Sequence, residues 1–294
     1  MTVTPAAVRL HWRTAGGVVS LDRPVVLGIL NVTPDSFWDG GLHVGVQAAV
    51  RHAAQLIGEG ADVIDVGGES TRPGAIPVDA DTEIARVLPV IRAIRREWPH
   101  IPTSIDTVKA AVARAALDAG AAIINDVSGL RLDDTLADIA ARAGAGVILM
   151  HSRGAVDRMA RYELAAYGPD PVGDVVSELS AAVDRAHAAG IGDDAIVLDP
   201  GLGFSKRTEH SLAVLMELER VAALGHPVLV GPSRKRFIGE AVGGALPPDA
   251  RLEGTLAACV IALLHGARLF RVHDVAPARR ALDFADAARR SGTA

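Results

Sequence analysis

The sequence predicts an α/β protein in which strands and helices alternate and close into a barrel. Three observations carry this prediction. Short apolar runs rich in β-branched residues recur along the 294 residues, segments with helical period separate them, and the runs number eight. An open doubly wound sheet usually has fewer strands, and the glycine fingerprint of dinucleotide-binding folds is missing after the first run. The predicted fold is therefore a (β/α)8 TIM barrel.

The elements follow one another regularly. The predicted strands are VVLGIL from residue 25, ADVIDV from 61, PTSID from 102, AIIN from 122, GVILM from 146, AIVLD from 195, PVLVG from 227 and LFRV from 269. Between them, apolar residues recur three and four positions apart, as one face of a helix requires. The clearest cases are Ile84, Val87, Leu88 and Ile91, and then Val108, Ala111, Val112, Ala115 and Ala116.

The chain begins with a different pattern. Residues 8–22, VRLHWRTAGGVVSLD, predict two short strands around Ala15, Gly16 and Gly17, and we expect this hairpin to plug the floor of the barrel. We accordingly divide the chain into an N-terminal hairpin extension, residues 1–24, and a barrel, residues 25–294. The irregular stretch 151–173 follows the fifth strand and is predicted to be a loop on the active side rather than a domain boundary.

Composition excludes several classes of function. A net charge of −5 and a pI near 6.1 provide no basic surface for nucleic acid, so a small-molecule substrate is expected. No apolar run approaches the roughly 20 residues of a membrane span, and no signal peptide is recognised, so we expect a cytoplasmic protein without membrane contact. The one cysteine, Cys259, lies in the apolar run LAACVIALL and is expected to be a buried structural thiol.

Polar residues stand where the predicted strands end, which is where barrel enzymes carry their catalytic groups. Asp126 and Asp274 are interpreted as helix caps, a common role for an aspartate after a strand. Asp106 and Asp199 are expected to face inward, because a carboxylate closing an apolar strand is costly unless something pairs with it. The full set of strand-end groups is Asn31, Asp65, Asp106, Asn125, Asp126, His151, Asp199, Ser233, Arg234, Lys235, Arg271, His273 and Asp274.

Two junctions indicate the kind of ligand. Barrels commonly bind phosphate with the loops after strands seven and eight, and here those loops carry Ser233, Arg234, Lys235, Arg271 and His273. The run GLGFSK at 201–206 lacks P-loop spacing, so its glycines are interpreted as making room for a flat ligand beside Phe204. The histidines do not form the His-x-His pair of a metal-dependent hydrolase, whose place holds Asn31, Val32 and Thr33.

The first two loops are long and bounded by glycine. They contain Phe37, Trp38 and Arg72, although the whole chain has only 10 aromatic residues. We interpret them as lids that exclude water and complete the site when substrate binds.

Taken together, LNVTPDSFWDGG, DVGGESTRPGA, SIDT, NDVSG, LMH, DPGLGFSK, GPSRKRFIG and RVHDV resemble the motifs of dihydropteroate synthase, the folate-pathway enzyme family inhibited by sulfonamides. The resemblance runs in order from about Val25 to Arg280, one motif per strand end. It implies condensation of 6-hydroxymethyl-7,8-dihydropterin pyrophosphate with p-aminobenzoate to give dihydropteroate and pyrophosphate.

The resemblance also implies roles for individual residues. The pterin would be held by Asp106, Asn125, Met150, Asp199, Phe204, Gly231 and Lys235. The pyrophosphate would be held by Asn31, Arg72, Arg271 and His273, with Mg²⁺ as the cofactor bound through Asn31. The p-aminobenzoate pocket would contain Phe37, Thr71, Pro73, Ser233 and Arg236. The groups implied in catalysis are Asp35, Asp39, Arg72 and Lys235, and the family precedent is a homodimer.

Some positions depart from the family pattern. Arg236 stands where some members have a serine, and Trp38 stands where a smaller residue is common. Two alternative functions stay open. A pterin-dependent methyltransferase acting on a corrinoid shares the barrel but does not need the Ser-Thr-Arg-Pro loop, and a catalytically silent paralogue would bind pterin without turnover.

Overall fold

A computed structural model describes residues 11–33, 42–70, 77–244 and 246–291. Within this part of the chain, eight parallel strands form one sheet and two antiparallel strands form a hairpin. The hairpin strands are β1 (His11–Thr14) and β2 (Gly17–Ser20). The sheet strands are β3 (Val25–Asn31), β4 (Val63–Gly67), β5 (Thr103–Asp106), β6 (Ile123–Asp126), β7 (Gly146–Met150), β8 (Ile196–Asp199), β9 (Leu229–Val230) and β10 (Leu269–Val272).

The sheet closes on itself. Its strand order is β8-β7-β6-β5-β4-β3-β10-β9, and a parallel bridge between Leu198 and Val228 joins β8 to the residue before β9. The prediction of a (β/α)8 barrel is confirmed, and all eight predicted runs form strands at their predicted places. Each strand is buried on both faces, which explains why the runs are continuously apolar rather than alternating.

Helices cover the outside of the barrel. They are α1 (Leu42–Gly58), α2 (Ala80–Glu97), α3 (Ala110–Asp118), α4 (Leu136–Ala143), α5 (Pro171–Ala188), α6 (Thr208–Met216), α7 (Glu219–Ala222), α8 (Arg236–Ala241), α9 (Leu252–Leu264) and α10 (Val275–Ser291). Short 3₁₀ turns lie at Tyr162–Leu164, Asp193–Ala195 and Pro248–Arg251. Among the described helices, none is long and apolar enough to cross a membrane.

The hairpin closes the amino end of the barrel, as predicted. Trp12 is fully buried among side chains of the barrel interior, and its indole Nε1–H donates to the carbonyl of Ala195 at 2.9 Å. The backbone N–H of Ala15 donates to the carbonyl of Ala122 at 3.1 Å. Because both acceptors precede the first residues of strands, the plug is held by backbone groups of the barrel floor.

Cys259 lies on α9 and is fully buried, as expected. Burial raises the pKa of its thiol to about 12, so the sulfur stays protonated and behaves as a small apolar side chain.

Candidate active site

Polar side chains from four strands meet at the carboxyl end of the barrel. Arg271 on β10 donates from Nε to Oδ2 of Asp65 at 2.6 Å and from Nη2 to Oδ2 of Asp106 at 2.7 Å. Asn125 on β6 donates from Nδ2 to the same oxygen of Asp65 at 3.2 Å. The guanidinium of Arg271 therefore connects β4 and β5 across the barrel mouth, and the amide of Asn125 connects β6 to the same carboxylate of Asp65. We call these four residues the Arg271 cluster.

The electrostatics of this group follow from burial. Desolvation raises the pKa of Asp106 to about 7, although the charge of Arg271 opposes the shift. Desolvation by itself would lower the pKa of Arg271, but the nearby carboxylates outweigh it and the pKa lies above its ordinary value. Arg271 is therefore a permanent cation that holds two carboxylates in place.

Asp199 ends β8 beside a tight glycine turn. Its Oδ1 accepts the backbone N–H of Gly201 at 2.7 Å, and the side chain is buried. Desolvation raises the pKa of Asp199 to about 6, opposed by that hydrogen bond and by Lys235. Gly201 has a φ of +66°, and a Cβ there would lie 2.0 Å from the carbonyl oxygen of His151. Only glycine fits at position 201, because the backbone there passes close to the carbonyl of His151. This contact explains the first glycine of the DPGLGFSK segment.

Lys235 and Phe204 form one wall of the site. The Nζ of Lys235 lies 3.4 Å from the centroid of the Phe204 ring. Burial, followed by the charge of Arg271, lowers the pKa of Lys235 to about 7. Phe204 belongs to a small apolar cluster with Met150, which is itself buried. Phe204 and Met150 thus provide apolar surface for a flat ring. The amine of Lys235 can donate or accept a hydrogen bond near neutral pH.

The loops after β9 and β10 are joined to each other. Ser233 Oγ lies 3.0 Å from Nδ1 of His273 and accepts the backbone N–H of the same residue at 3.1 Å. Arg234 adopts a left-handed φ of +58° and points its guanidinium at Asp274, with hydrogen bonds of 2.9 and 2.6 Å. The loops after β9 and β10 thus contact each other, and the guanidinium groups of both Arg234 and Arg271 have carboxylate partners.

The two aspartates interpreted as caps differ from each other. Asp126 accepts the backbone N–H groups of Ser128 and Leu130 at 2.8 and 2.5 Å, so it holds the loop after β6. Both carboxylate oxygens of Asp274 instead accept hydrogen bonds from Arg234, a partner 40 residues away in the chain.

Two side-chain oxygens lie beside Gly67, the last residue of β4. Oδ1 of Asn31 and Oδ2 of Asp106 lie 3.8 and 3.7 Å from the point where a Cβ of Gly67 would stand. A Cβ at position 67 would therefore be in van der Waals contact with both oxygens. Gly231 lies beside Arg271 in a similar way: a Cβ added at position 231 would lie 3.7 Å from Cβ of Arg271.

Of the residues expected to hold p-aminobenzoate, two are described. Ser233 is buried. The guanidinium carbon of Arg236 lies 3.7 Å from the centroid of the Tyr162 ring, and its Nε lies 3.4 Å from Oε1 of Glu240. The expected residues that lie outside the described part of the chain are Asp35, Phe37, Trp38, Asp39, Thr71, Arg72 and Pro73.

The second loop is anchored at its described ends. Glu69 accepts the backbone N–H of Val78 at 2.9 Å through Oε1 and the ammonium of Lys109 at 2.7 Å through Oε2. Lys109 also donates to the fully buried Glu83 at 2.6 Å. Two carboxylates thus hold one ammonium, and Glu69 connects the residues on both sides of the segment 71–76.

Sequence reasoning did not assign a role to Asp65 or Lys206. Lys206 is fully buried, and its Nζ donates to Nδ1 of His151 at 2.7 Å and to the carbonyls of Gly201 and Phe204, each at 3.2 Å. Burial lowers the pKa of His151 to about 4, so the ring is neutral. Since Nδ1 accepts from Lys206, Nε2 carries the proton and donates to Glu178 at 3.1 Å. Lys206 thereby stabilises the turn at Gly201–Phe204, which follows Asp199 in the chain.

Lys206 had a signal in the sequence. The chain has only three lysines among thirty basic residues, and all three fall in or near strand-end motifs. Such restricted use of one residue type indicates positions where an ammonium rather than a guanidinium is required.

Comparison with known proteins gives a consistent set of matches. The profile of the family described as pterin binding enzyme matches residues 27–273. The dihydropteroate synthase of Mycobacterium leprae is 46% identical over 261 residues, which are 87% of this chain and 90% of that protein. An inactive dihydropteroate synthase 2 of the same organism is 42% identical over 271 residues, 91% of this chain. The solved structure of Xanthomonas albilineans dihydropteroate synthase with 4-aminobenzoic acid is similar with a TM-score of 0.86 at 44% identity, covering 95% of this chain and 98% of that one.

Proposed function

The chain belongs to the family of pterin-binding enzymes, and we propose that it catalyses the dihydropteroate synthase reaction. It is a transferase that joins the methylene carbon of 6-hydroxymethyl-7,8-dihydropterin pyrophosphate to the amine of p-aminobenzoate and releases pyrophosphate. The observation that carries the proposal is the convergence of Asp199, Asn125 and Lys235 beside the Arg271 cluster. Hydrogen-bonding groups for a flat heterocycle and a permanent cation for an anion thus share one barrel mouth.

The pterin ring suits the polar groups on the strand ends. The Asp199 carboxylate accepts from the ring N3–H and the 2-amino group, and the Asn125 amide pairs with an adjacent donor and acceptor. The side-chain amine of Lys235 donates to O4 or N5. The remaining groups assigned to the pterin are Asp106, Met150, Phe204 and Gly231. Charge-assisted hydrogen bonds in such a buried site contribute about 1.5–3 kcal/mol each, so these contacts fix the ring's orientation.

The pyrophosphate lies toward Arg271 and His273, with Asn31 and Arg72 also assigned to it. Mg²⁺ would be bound through the side-chain oxygen of Asn31 at the end of β3, because this ion prefers hard oxygen donors. When bound, the ion neutralises charge that develops on the leaving pyrophosphate. Arg271 supports the same charge from the protein side, since its own charge is permanent.

The reaction proceeds by departure of the leaving group first. The carbon–oxygen bond breaks with its electron pair going to pyrophosphate, which leaves a resonance-stabilised pterin cation. The p-aminobenzoate nitrogen then attacks the methylene carbon and loses a proton. Asp35 and Asp39 are assigned to stabilising the cation, and Arg72 and Lys235 to the reacting groups. The acceptor pocket consists of Phe37, Thr71, Pro73, Ser233 and Arg236.

The organisation of the protein completes the proposal. We assign residues 1–24 to the hairpin extension and residues 25–294 to the barrel, with the hairpin strands β1 and β2 as the plug. The enzyme works as a cytoplasmic homodimer on small-molecule substrates, with Mg²⁺ as its ion and without a nucleic-acid or membrane partner.

A turnover experiment tests the proposal. Purified protein is mixed with the pterin pyrophosphate, p-aminobenzoate and Mg²⁺, and dihydropteroate is measured by chromatography alongside pyrophosphate release. We expect equal amounts of both products, and no product from the Arg271→Met variant.

One observation favours a second candidate, a silent pterin-binding paralogue. Relatives named inactive dihydropteroate synthase 2 are 42% identical to the chain, close to the 46% of a relative named dihydropteroate synthase. Pterin binding by calorimetry together with no product at any acceptor concentration would establish the silent paralogue. Product formation that requires a methylated pterin and a corrinoid, and no p-aminobenzoate, would indicate the methyltransferase.

A further inference from the structure

Three metal-ligating side chains lie together at the amino end of the barrel, opposite the strand-end groups described above. His187 is in the last turn of α5, Asp193 is in the 3₁₀ turn before β8, and His226 precedes β9. One ligand atom from each lies within 4.8 Å of the others. We propose that these residues bind a divalent transition-metal ion of the zinc class.

The distances suit such an ion after small side-chain movements. Nε2 of His187 and Oδ1 of Asp193 are 2.7 Å apart, and the rings of His187 and His226 have centroids 6.3 Å apart. Zinc binds imidazole nitrogen and carboxylate oxygen at about 2.0–2.2 Å with tetrahedral angles, which sets ligand atoms about 3.4 Å apart. His187 and Asp193 have to separate slightly from each other and move toward His226.

The burial of the three residues allows this movement. His226 is 8% exposed, whereas the side chains of His187 and Asp193 are 43% and 49% exposed. One ligand is thus fixed by packing and two can rotate, while the solvent-facing side leaves the fourth position to water.

The chemistry of the donors selects the ion. Two imidazoles and one carboxylate suit zinc, nickel, copper or cobalt, whereas magnesium and calcium prefer oxygen alone. The guanidinium of Arg13 lies beside Gly192, the residue before Asp193, and is paired with Asp194 by hydrogen bonds of 2.9 and 3.0 Å, so its charge is already compensated. A cation bound at the cluster therefore meets a net negative ligand set.

The position of the cluster gives the ion a structural effect. Its ligands come from the segments that lead into β8 and β9, the two strands at which the sheet closes. β9 has two residues, and the bridge from Leu198 to Val228 joins it to β8. A metal ion connecting the segments before these strands stabilises the closure of the barrel, because binding to the native state alone raises its stability.

The test is zinc binding to metal-stripped protein by isothermal titration calorimetry, with a Co²⁺ absorption spectrum as a second readout. The variants are His187→Ala and Asp193→Asn, whose exposed side chains can be replaced without disturbing the core. His265→Ala is the matched control, because His265 also pairs with a carboxylate, Glu219, at 2.9 Å but lies outside the cluster.

We expect one Zn²⁺ site in the parent protein, weakened more than about tenfold in both cluster variants and unchanged in the control. Saturating Zn²⁺ raises Tm by a few degrees in the parent and the control but not in His187→Ala. Zinc affinity that is the same in all four proteins, or that falls equally in the control, overturns the proposal. Because the readouts are binding and Tm, this result is independent of catalytic activity.

Discussion

Asp199 is the residue whose replacement tests pterin recognition most directly. In Asp199→Asn the amide accepts only part of the hydrogen-bond pattern that a carboxylate accepts from the ring N3–H and 2-amino group. Losing one charge-assisted bond of about 1.5–3 kcal/mol lowers pterin affinity roughly 10- to 100-fold. Calorimetry with a pterin ligand measures this change, and Asp138→Asn on an exposed face of α4 is the control. Equal pterin affinity in the two variants would contradict the assignment.

The same carboxylate predicts a pH dependence. Burial raises the pKa of Asp199 to about 6, against the opposing influence of the Gly201 N–H, Lys235 and Lys206. The ionised form binds the pterin, so affinity is full above pH 6 and falls about tenfold per unit as pH drops below that value.

Calorimetry between about pH 5 and 8 measures this profile. In Asp199→Asn the inflection near pH 6 is absent, and a remaining inflection near pH 7 is assigned to Asp106 or Lys235, since burial brings the pKa of each to about that value. An unchanged inflection near pH 6 in the variant would show that another group titrates there.

At the residue scale, sequence reasoning located strand-end groups better than it located their partners. Asp106 and Asp199 are predictable because a carboxylate that ends an apolar strand has to be paired. The link from Arg271 to Asp65 spans 206 residues and the link from Lys206 to His151 spans 55. No local pattern contains such a separation, so these partners become visible only when the barrel closes.

At the scale of elements, the base of the second loop offers a test that separates the two substrates. In Lys109→Met, Glu69 loses its ammonium partner and the buried Glu83 is left without compensation. Because Glu69 connects the residues flanking the segment that contains Thr71, Arg72 and Pro73, we expect the KM for p-aminobenzoate to rise several-fold.

The pterin affinity of Lys109→Met should stay near that of the parent, since Lys109 lies outside the strand-end cluster. Steady-state kinetics with each substrate varied gives both values. Glu97→Gln, at the exposed far end of α2, is the control. A rise in the KM for pterin without any rise for p-aminobenzoate would contradict the assignment.

The hairpin provides a second element-scale prediction. Trp12 is fully buried and its indole N–H satisfies the carbonyl of Ala195. Trp12→Ala creates a cavity at the barrel floor and should lower the free energy of unfolding by about 3–5 kcal/mol. Trp12→Phe, which keeps most of the apolar contact but not the donor, should cost about 1–3 kcal/mol. Urea unfolding measures both, and equal stability of the two variants and the parent would show that the plug is dispensable.

Element positions were predictable while element ends were less so. Strands buried on both faces produce continuous apolar runs, which is why all eight were found. The run PVLVG predicts five residues of strand, but β9 consists of Leu229 and Val230 alone. Hydrogen bonding at the closure of the barrel sets this length, since Val228 instead bridges to Leu198 of β8. An apolar run in the sequence predicts that a segment is buried, but it does not predict which neighbouring strand supplies its hydrogen bonds.

At the scale of the whole molecule, the three lysines differ in side-chain pKa and in exposure to solvent because of where the fold places them. Burial lowers the pKa of Lys206 to about 7, but this side chain is fully buried. Lys109 is held between two carboxylates, which overcome desolvation and raise its pKa. Lys235 is partly exposed at the mouth of the barrel, and burial together with Arg271 lowers its pKa to about 7. Of the three side-chain amines, Lys235 is both accessible and substantially neutral at physiological pH.

This difference predicts selective acylation of Lys235. At about pH 7.5 an ordinary lysine, with a pKa near 10.4, is neutral in only about one molecule in a thousand, whereas the lowered pKa of Lys235 makes its free amine far more abundant. A limiting amount of an amine-reactive ester, followed by peptide mass spectrometry, should therefore modify Lys235 well before Lys109 or Lys206. A saturating pterin ligand should protect Lys235 from acylation, since the ring is proposed to lie against Lys235 and Phe204.

The Asp199→Asn variant is the control for this protection. At the same ligand concentration Lys235 should be protected much less in the variant, because the loss of pterin affinity leaves the site unoccupied. Equal labelling of all three lysines would show that the barrel mouth does not lower the pKa of Lys235, and selective labelling without protection would place the pterin elsewhere.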